Sequence, residues 1–368
     1  MAGLLPRITT SAMAMAIVIT VLSISNELAV SALRHAQCMF FFGDSQFDNG
    51  NNNDLATLAK VNYRPYGIDF PSGPTGRFAN GRNVPDYLAE FLGFPTSIQP
   101  FASVRGSEIL NGVNYASGGA GILDETGILL GDRITMNEQL QNHRTVVGRI
   151  AALRGRNPTA AKEYLSKCVY VVNIGSNDYL NNYLLPTYPT RFFFTPDSFA
   201  QRLIVSLSQQ LRELYSLGAR KTAVFGIGYL GCLPQTVATG TPGNATGCVD
   251  NVNAIVQLFN DRMKPLIDDL NRSQRNAKYT YINITSISSP GDPALAGIRV
   301  ANVACCPVSP QTGLCLRDSI PCNNRDEYTF WDNFHPTSIV NRAAAARAFR
   351  AALFTDAYPV DIRQLARQ

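Results

Sequence analysis

Five short apolar runs, mostly separated by long helical patterns, constrain the fold more than any other feature of the chain. They are CMFFFG at 38–43, GVNYAS at 112–117, CVYVVNIG at 168–175, KTAVFGIG at 221–228 and KYTYINI at 278–284. Runs this apolar on both alternating faces suit strands covered on both sides. The segment 196–219 carries Phe199, Leu203, Val205, Leu207, Leu211 and Leu214, starts at Pro196 and Asp197, ends at Gly218, and predicts a helix. A second helix is predicted over 249–271, bent or broken at Pro265. A third, Ala-rich and amphipathic, is predicted over 337–354 with Thr337 or Ser338 as its cap. Strands alternating with helices predict a mostly parallel sheet with helices on both faces. Function in such sheets gathers at the C-terminal strand ends, here just after 43, 117, 175, 228 and 284. The Gly/Pro-rich stretch 62–83 predicts a long surface loop, followed by a helix near VPDYLAEFLGF. No composition shift marks a boundary, so 33–368 is read as one domain.

Residues 1–32 read as a secretory signal peptide: Arg7, the apolar run SAMAMAIVITVLSIS, and the small-residue pattern AVSA ending at Ala32. That run is short for a membrane anchor, and no later segment reaches spanning length without charges, so no stable membrane span is expected. Eight cysteines follow the signal, and an even count in an exported chain predicts disulfides. Cys232 and Cys248 flank a Gly/Pro-rich loop and form the best candidate pair. Cys305, Cys306, Cys315 and Cys322 predict local bridges, and Cys38 and Cys168 pair if the strands they begin adjoin. No Cys-x-x-Cys occurs and His35, His143 and His335 are the only histidines, which argues against a metal site. Asn244, Asn271 and Asn283 are candidate glycosylation sites, whereas Pro158 disqualifies Asn157. The net charge of +5 is mild and scattered, so nucleic acid is not an expected partner; the oligomeric state stays open.

Three strand ends carry chemistry. The first presents Gly43-Asp44-Ser45, the second Ser117-Gly118-Gly119-Ala120-Gly121, the third Gly175-Ser176-Asn177-Asp178; FWDNFHPT places Asp332 three residues before His335. Taken singly each has a plain structural reading: a helix cap at Ser45, a glycine turn, an Asx turn at Asn177, a helix lead-in at His335. Taken together they supply what ester hydrolysis needs: a hydroxyl, a base to take its proton, an acid behind the base, and donors for the oxyanion. Ser45 offers the hydroxyl, His335 the base and Asp332 the acid. The Ser45 N–H, the Gly118 N–H (preferred over Gly119) and the Asn177 side-chain amide offer the oxyanion hole.

Ser45 in FGDSQFDNGNNN, Gly118 in VNYASGGAGIL, Asn177 in NIGSNDYLNNY and Asp332/His335 in FWDNFHPT resemble the four blocks of the SGNH hydrolases. More closely, the chain resembles the plant-type GDSL esterase/lipase family, with further matches at TGRFANGRNVPDYLAEFLG, LGARKTAVFGIGYLGCLP and NNRDEYTFWDNFHPT. The resemblance runs from about Cys38 to Phe354. Two positions depart from it: Gln46 stands where the family has leucine, expected to pack behind the nucleophile, and Pro307 follows the paired cysteines where glycine is usual. The resemblance implies an α/β fold of SGNH-hydrolase (flavodoxin-like) type, a three-layer α/β/α sandwich with a mostly parallel five-stranded sheet. It implies a serine esterase or lipase working through an acyl-Ser45, with no cofactor, a small-molecule or lipid ester as substrate, and secretion to the apoplast or cell wall. An acyltransferase, such as one building a cutin-like polyester, would use the same residues. A non-catalytic secreted binding protein on a hydrolase fold is the other alternative.

Overall fold

The computed structural model describes residues 34–240, 247–288 and 295–368. The signal at 1–32 and the sequon at Asn244 lie outside the described residues. Eight strands are present among them: β1 (Met39–Gly43), β2 (Gly112–Asn114), β3 (Val169–Asn173), β4 (Lys221–Phe225), β5 (Lys278–Ile282), β6 (Val300–Ala304), β7 (Tyr328–Phe330) and β8 (Ala357–Tyr358). The main sheet runs β2-β1-β3-β4-β5-β8. Its first five strands are parallel, as predicted, and β8 adds an antiparallel edge through Tyr281↔Tyr358 and Ile282↔Ala357.

Alternation along each strand feeds two cores. Phe40 and Phe42 of β1 with Tyr170 and Val172 of β3 pack against helices Met136–Leu153, Pro196–Ser216, Asp250–Asn260 and Met263–Ser273. Met39, Phe41, Val169 and Val171 point the other way, onto helices Val84–Phe91, Ser338–Phe349 and Ile362–Arg367. Phe40, Phe41 and Phe42 are wholly buried, each worth about 1.5–3 kcal/mol of apolar transfer. The result is the three-layer sandwich.

The cysteines pair as Cys38–Cys168, Cys232–Cys248, Cys305–Cys322 and Cys306–Cys315. The first bridge exists because β1 and β3 adjoin in register, Met39 beside Val169. Among the described residues no helix is long and apolar enough to cross a membrane, and no cluster of His, Cys, Asp or Glu could hold a metal ion.

Several local expectations need correction. The first predicted run ends at Gly43 as expected, but the other four end sooner in the sheet, because the residues after 114, 173, 225 and 282 leave it to build the site or its supports. The 249–271 helix breaks at Asp261 and Arg262, and Pro265 sits in the first turn of Met263–Ser273. A proline there lacks an N–H that the first turn leaves unpaired anyway, and its ring forbids a helical carbonyl four residues back, at Asp261. The last long helix spans only Ser338–Phe349, and Thr337 occupies the cap position with its hydroxyl donated to Tyr328 O at 2.8 Å. That helix is not amphipathic: Asn341 and Arg347 are buried on it, Arg347 Nε donating to Asp356 Oδ2 at 3.0 Å. The stretch 62–83 is a surface loop only in part: Asn62, Arg64, Ile68, Asp69, Pro71 and Ser72 are exposed, but much of the rest folds inward. Tyr66, Arg77, Phe78 and Asn80 are buried, and Arg77 meets Asp86 through two bonds of 2.7 and 2.8 Å.

Candidate active site

The strand order reverses at β1: the chain passes to β2 on one side and then to β3 on the other. Parallel sheets bind ligands in the crevice at such a switch point, beyond the C-terminal strand ends. Ser45 follows β1 and Asn177 follows β3, so both stand at that crevice.

Gly43 ends β1 at φ 156°, where a Cβ would lie 2.2 Å from Asn173 O. Its N–H donates to Gln139 Oε1 at 2.9 Å and its carbonyl accepts from Gln139 Nε2 at 2.8 Å, so the chain leaves the sheet without an unpaired group. Asp44 then closes a tight turn: its carbonyl accepts from the N–H groups of Phe47 and Asp48 at 3.1 Å each, and its Oδ1 accepts from Gln46 N at 3.0 Å. Ser45 projects from that turn. Its own N–H has no partner among the described residues.

Trp331 and Asp332 directly follow β7, which pairs with β6 outside the main sheet. Asp332 Oδ1 accepts from the N–H groups of Phe334 and His335 at 2.8 Å each, a turn that brings the imidazole back over the carboxylate. His335 Nδ1 lies 2.8 Å from Asp332 Oδ2, and its Nε2 lies 2.8 Å from Ser45 Oγ. Asp332 is fully buried and His335 nearly so. The Phe78 ring packs on the imidazole at 4.7 Å between centroids. His143, by contrast, is a core residue packed on Phe40 and held neutral, its pKa pushed down to about 3 by burial.

Asn177 is held at both ends of its amide. Nδ2 donates to Ala120 O at 2.9 Å, while Oδ1 accepts from Asn181 Nδ2 at 2.6 Å. The amide therefore cannot flip without losing both bonds, and one Nδ2 hydrogen remains for the cleft that Asn177 lines together with Ser45 and His335. Asp178 turns away, its carboxylate accepting from Ile122 N, Leu123 N and Thr126 Oγ1 at 2.7, 3.1 and 2.7 Å. Burial pushes its pKa up to about 6 despite those donors.

Gly118 does not offer a free N–H. It donates to Asp48 Oδ2 at 3.1 Å, and its carbonyl accepts from Asn52 Nδ2 at 2.9 Å. Gly119, at φ 82°, lines the cleft, and its N–H has no partner among the described residues. Gln46 also lines the cleft rather than packing behind Ser45; its Oε1 lies 3.4 Å from Asn173 Nδ2. Leu58, Leu130, Leu180, Leu230 and Phe334 make the rest of the cleft largely apolar. Sequence reasoning missed Asp48, Tyr66 and Phe78; the aromatic side chains scattered through the polar 62–83 stretch were the available signal for the last two. Among the sequons, Asn271 spends its amide on the backbone of Tyr279, at 2.8 and 3.0 Å, and Asn283 Oδ1 caps a turn through Thr285 Oγ1 at 2.7 Å.

The family model described as GDSL-like Lipase/Acylhydrolase matches residues 39–348. The chain is 47% identical over 336 residues to GDSL esterase/lipase At5g45670 of Arabidopsis thaliana, covering 90% of this chain and 92% of the relative. It is 47% identical over 345 residues to GDSL esterase/lipase At1g29670 of the same plant, covering 92% and 94%. A solved carbohydrate esterase is similar at a TM-score of 0.34 and 13% identity, over 68% of this chain and 59% of that one, too distant to inform the site. With its sheet order and its match over nearly the whole described length, the chain belongs to the GDSL-like lipase/acylhydrolase family and is a carboxylic ester hydrolase.

Proposed function

We propose that the protein is a secreted serine esterase that cleaves apolar or lipid carboxylic esters through an acyl-Ser45. Ser45 Oγ attacks the ester carbonyl as His335 Nε2 takes its proton, and Asp332 stabilises the imidazolium that forms. The oxyanion is received by the Ser45 N–H, the Asn177 amide and the N–H of Gly119, to which the role first given to Gly118 passes. His335 then protonates the leaving alcohol, and water releases the acid by the same steps in reverse. The acyl chain lies along the leucines of the cleft. One observation carries the reading: the unbroken run of 2.8 Å contacts from Ser45 through His335 to Asp332, opening onto that cleft. Export is supported by four disulfides, which persist in oxidising compartments.

The test is hydrolysis of p-nitrophenyl esters from acetyl to palmitoyl by the wild type, Ser45→Ala and His335→Ala, with melting curves alongside. Both variants should be inactive and folded, and the double variant little worse than either alone, because triad members act as a unit. Substantial turnover by Ser45→Ala overturns the proposal.

A further inference from the structure

The buried hydroxyl of Tyr66 has a geometry that the Ser45–His335–Asp332 chemistry does not use directly. It donates to Asp332 Oδ2 at 2.6 Å and accepts from Cys315 N at 3.0 Å. The direction of both bonds is fixed. An amide N–H can only donate, so it occupies the phenol's lone pair and aims the phenol proton at the carboxylate. We infer that Tyr66 is a positioning residue for the reaction: it holds Asp332 in register and sets how strongly Asp332 supports the proton on His335. The inference rests on the reading of Ser45, His335 and Asp332 as the triad.

Asp332 is fully buried, so its carboxylate depends on donors from the protein. Its Oδ1 takes two backbone N–H groups, and its Oδ2 is shared between His335 Nδ1 and Tyr66. Without Tyr66, the Oδ2 charge would be answered by the imidazole alone. Tyr66 is itself held from two further directions. Cys315 is bridged to Cys306, whose N–H donates to Trp331 O at 3.0 Å, next to Asp332. The Tyr66 ring meets Phe78 edge-on at 6.4 Å, and Phe78 packs on His335. The loop, the bridge and the Asp332 turn thus form one closed unit. Burial and the Asp332 charge hold the phenol pKa well above its ordinary value, so it stays a donor throughout the working range. The other titratable groups facing the pair are Asp44 from the end of β1 and Tyr63 from the loop, with Arg317 stacked over Tyr63 at 4.2 Å.

The sign of the effect follows from charge. The Tyr66 hydrogen bond withdraws electron density from Oδ2, which weakens the hold of Asp332 on an imidazolium. Removing it makes His335 more basic, and the acid limb of kcat/KM, which reports the free enzyme, moves to higher pH. Tyr66→Phe is therefore expected to lower kcat about tenfold with KM nearly unchanged, and to raise the pH of that limb. Replacement of Tyr66 by 3-fluorotyrosine keeps the ring and hydroxyl but makes the phenol a stronger donor, so the limb should move to lower pH. Opposite shifts from the two replacements support the inference, since lost packing alone gives no such reversal. An acid limb that stays put in both, or moves the same way in both, overturns it. If Tyr66→Phe does not fold, the 3-fluorotyrosine enzyme decides alone. Ser45→Ala runs beside them: activity there sinks the triad reading, whereas an inactive Ser45→Ala with unmoved Tyr66 limbs sinks only the role of Tyr66.

Discussion

Asp48 Oδ2 accepts a hydrogen bond from the N–H of Gly118 at 3.1 Å, across 70 residues of sequence. The same carboxylate takes Gly50 N and Asn51 N on its Oδ1, both at 2.7 Å. One buried side chain thus ties the segment behind Ser45 to the glycine turn after β2, and Gly119 is the residue left facing the cleft.

Asp48→Asn puts an NH2 donor against one of these N–H donors. The expected result is a loss of about 2 kcal/mol of stability. Because the glycine turn loosens, kcat should also fall at nearly constant KM. Urea unfolding and steady-state kinetics on the same preparation check both. If neither changes, the Gly118 N–H is free to turn toward substrate and Gly119 loses its proposed role.

Asn177 gives the sharper kinetic prediction. Its amide is fixed by Ala120 and Asn181 and points one N–H at the cleft. Loss of an oxyanion donor costs about 10²–10³ in kcat. The ground-state ester carries little charge on its oxygen, so KM should barely move. Asn177→Ala should show that split in a folded protein whose melting point falls modestly, because Ala120 O and the Asn181 amide lose a partner. Asn181→Ala should show a milder version, because it only frees the amide to turn. A kcat within a few-fold of wild type for Asn177→Ala makes Asn177 a turn residue.

How much of this was legible in the chain follows the range of the interactions. The five parallel strands were readable because their apolar runs are local and strong, and Ser45, Asn177 and the Asp332–His335 pair because they sit at strand or helix boundaries. That the Gly118 N–H is occupied was not, since its partner Asp48 is far away in sequence. β8 has two residues and pairs only with the end of β5, too short for any periodicity. The partial burial of 62–83 was hidden for a similar reason. Gly and Pro usually mark exposed loops, but here Arg77 finds Asp86 and Tyr66 finds Asp332, so Tyr66 and residues 76–81 become interior while 68–72 stay outside. Arg347 misled in the same way: its charge is buried because Asp356, outside its helix, answers it.

The Cys38–Cys168 bridge joins the N-terminal ends of β1 and β3, the end of the sheet opposite Ser45. It closes a sequence separation of 130 residues, for which the chain-entropy model gives roughly 5 kcal/mol of stabilisation. Replacing both cysteines with alanine should lower the melting temperature markedly while kcat and KM at 25 °C stay near wild type. Scanning calorimetry and kinetics test the separation. A variant that melts normally but has lost activity would mean that the bridge acts on the site rather than on the fold.

Asp44 predicts a pH dependence of stability. It is almost fully buried, Oδ1 accepts from Gln46 N, and Oδ2 has no partner among the described residues. Burial pushes its pKa up to about 7, from an ordinary value near 3.8. In the unfolded chain the group loses its proton near the ordinary value, whereas in the folded protein it keeps it until about pH 7. Between these pH values the folded state binds more protons, so stability falls as pH rises through the window and levels off above it. Asp48 and Asp178, each raised to about 6, add slopes of the same sign over a narrower window. His143 opposes them on the acid side. Its pKa is lowered from 6.5 to about 3, so the unfolded state gains a proton first and stability is lost as pH falls through that range. Asp44→Asn removes one ionisation and leaves the rest. Its amide hydrogens carry their own burial penalty, which does not depend on pH, so the test is the change in the difference from wild type. That difference should move in the variant's favour by a few kcal/mol between pH 4 and pH 8, since each tenfold difference in proton affinity between the folded and unfolded chain is worth about 1.4 kcal/mol. Melting curves across that range read it directly, and a difference that stays constant with pH would show that Asp44 ionises in the folded protein as it does in water.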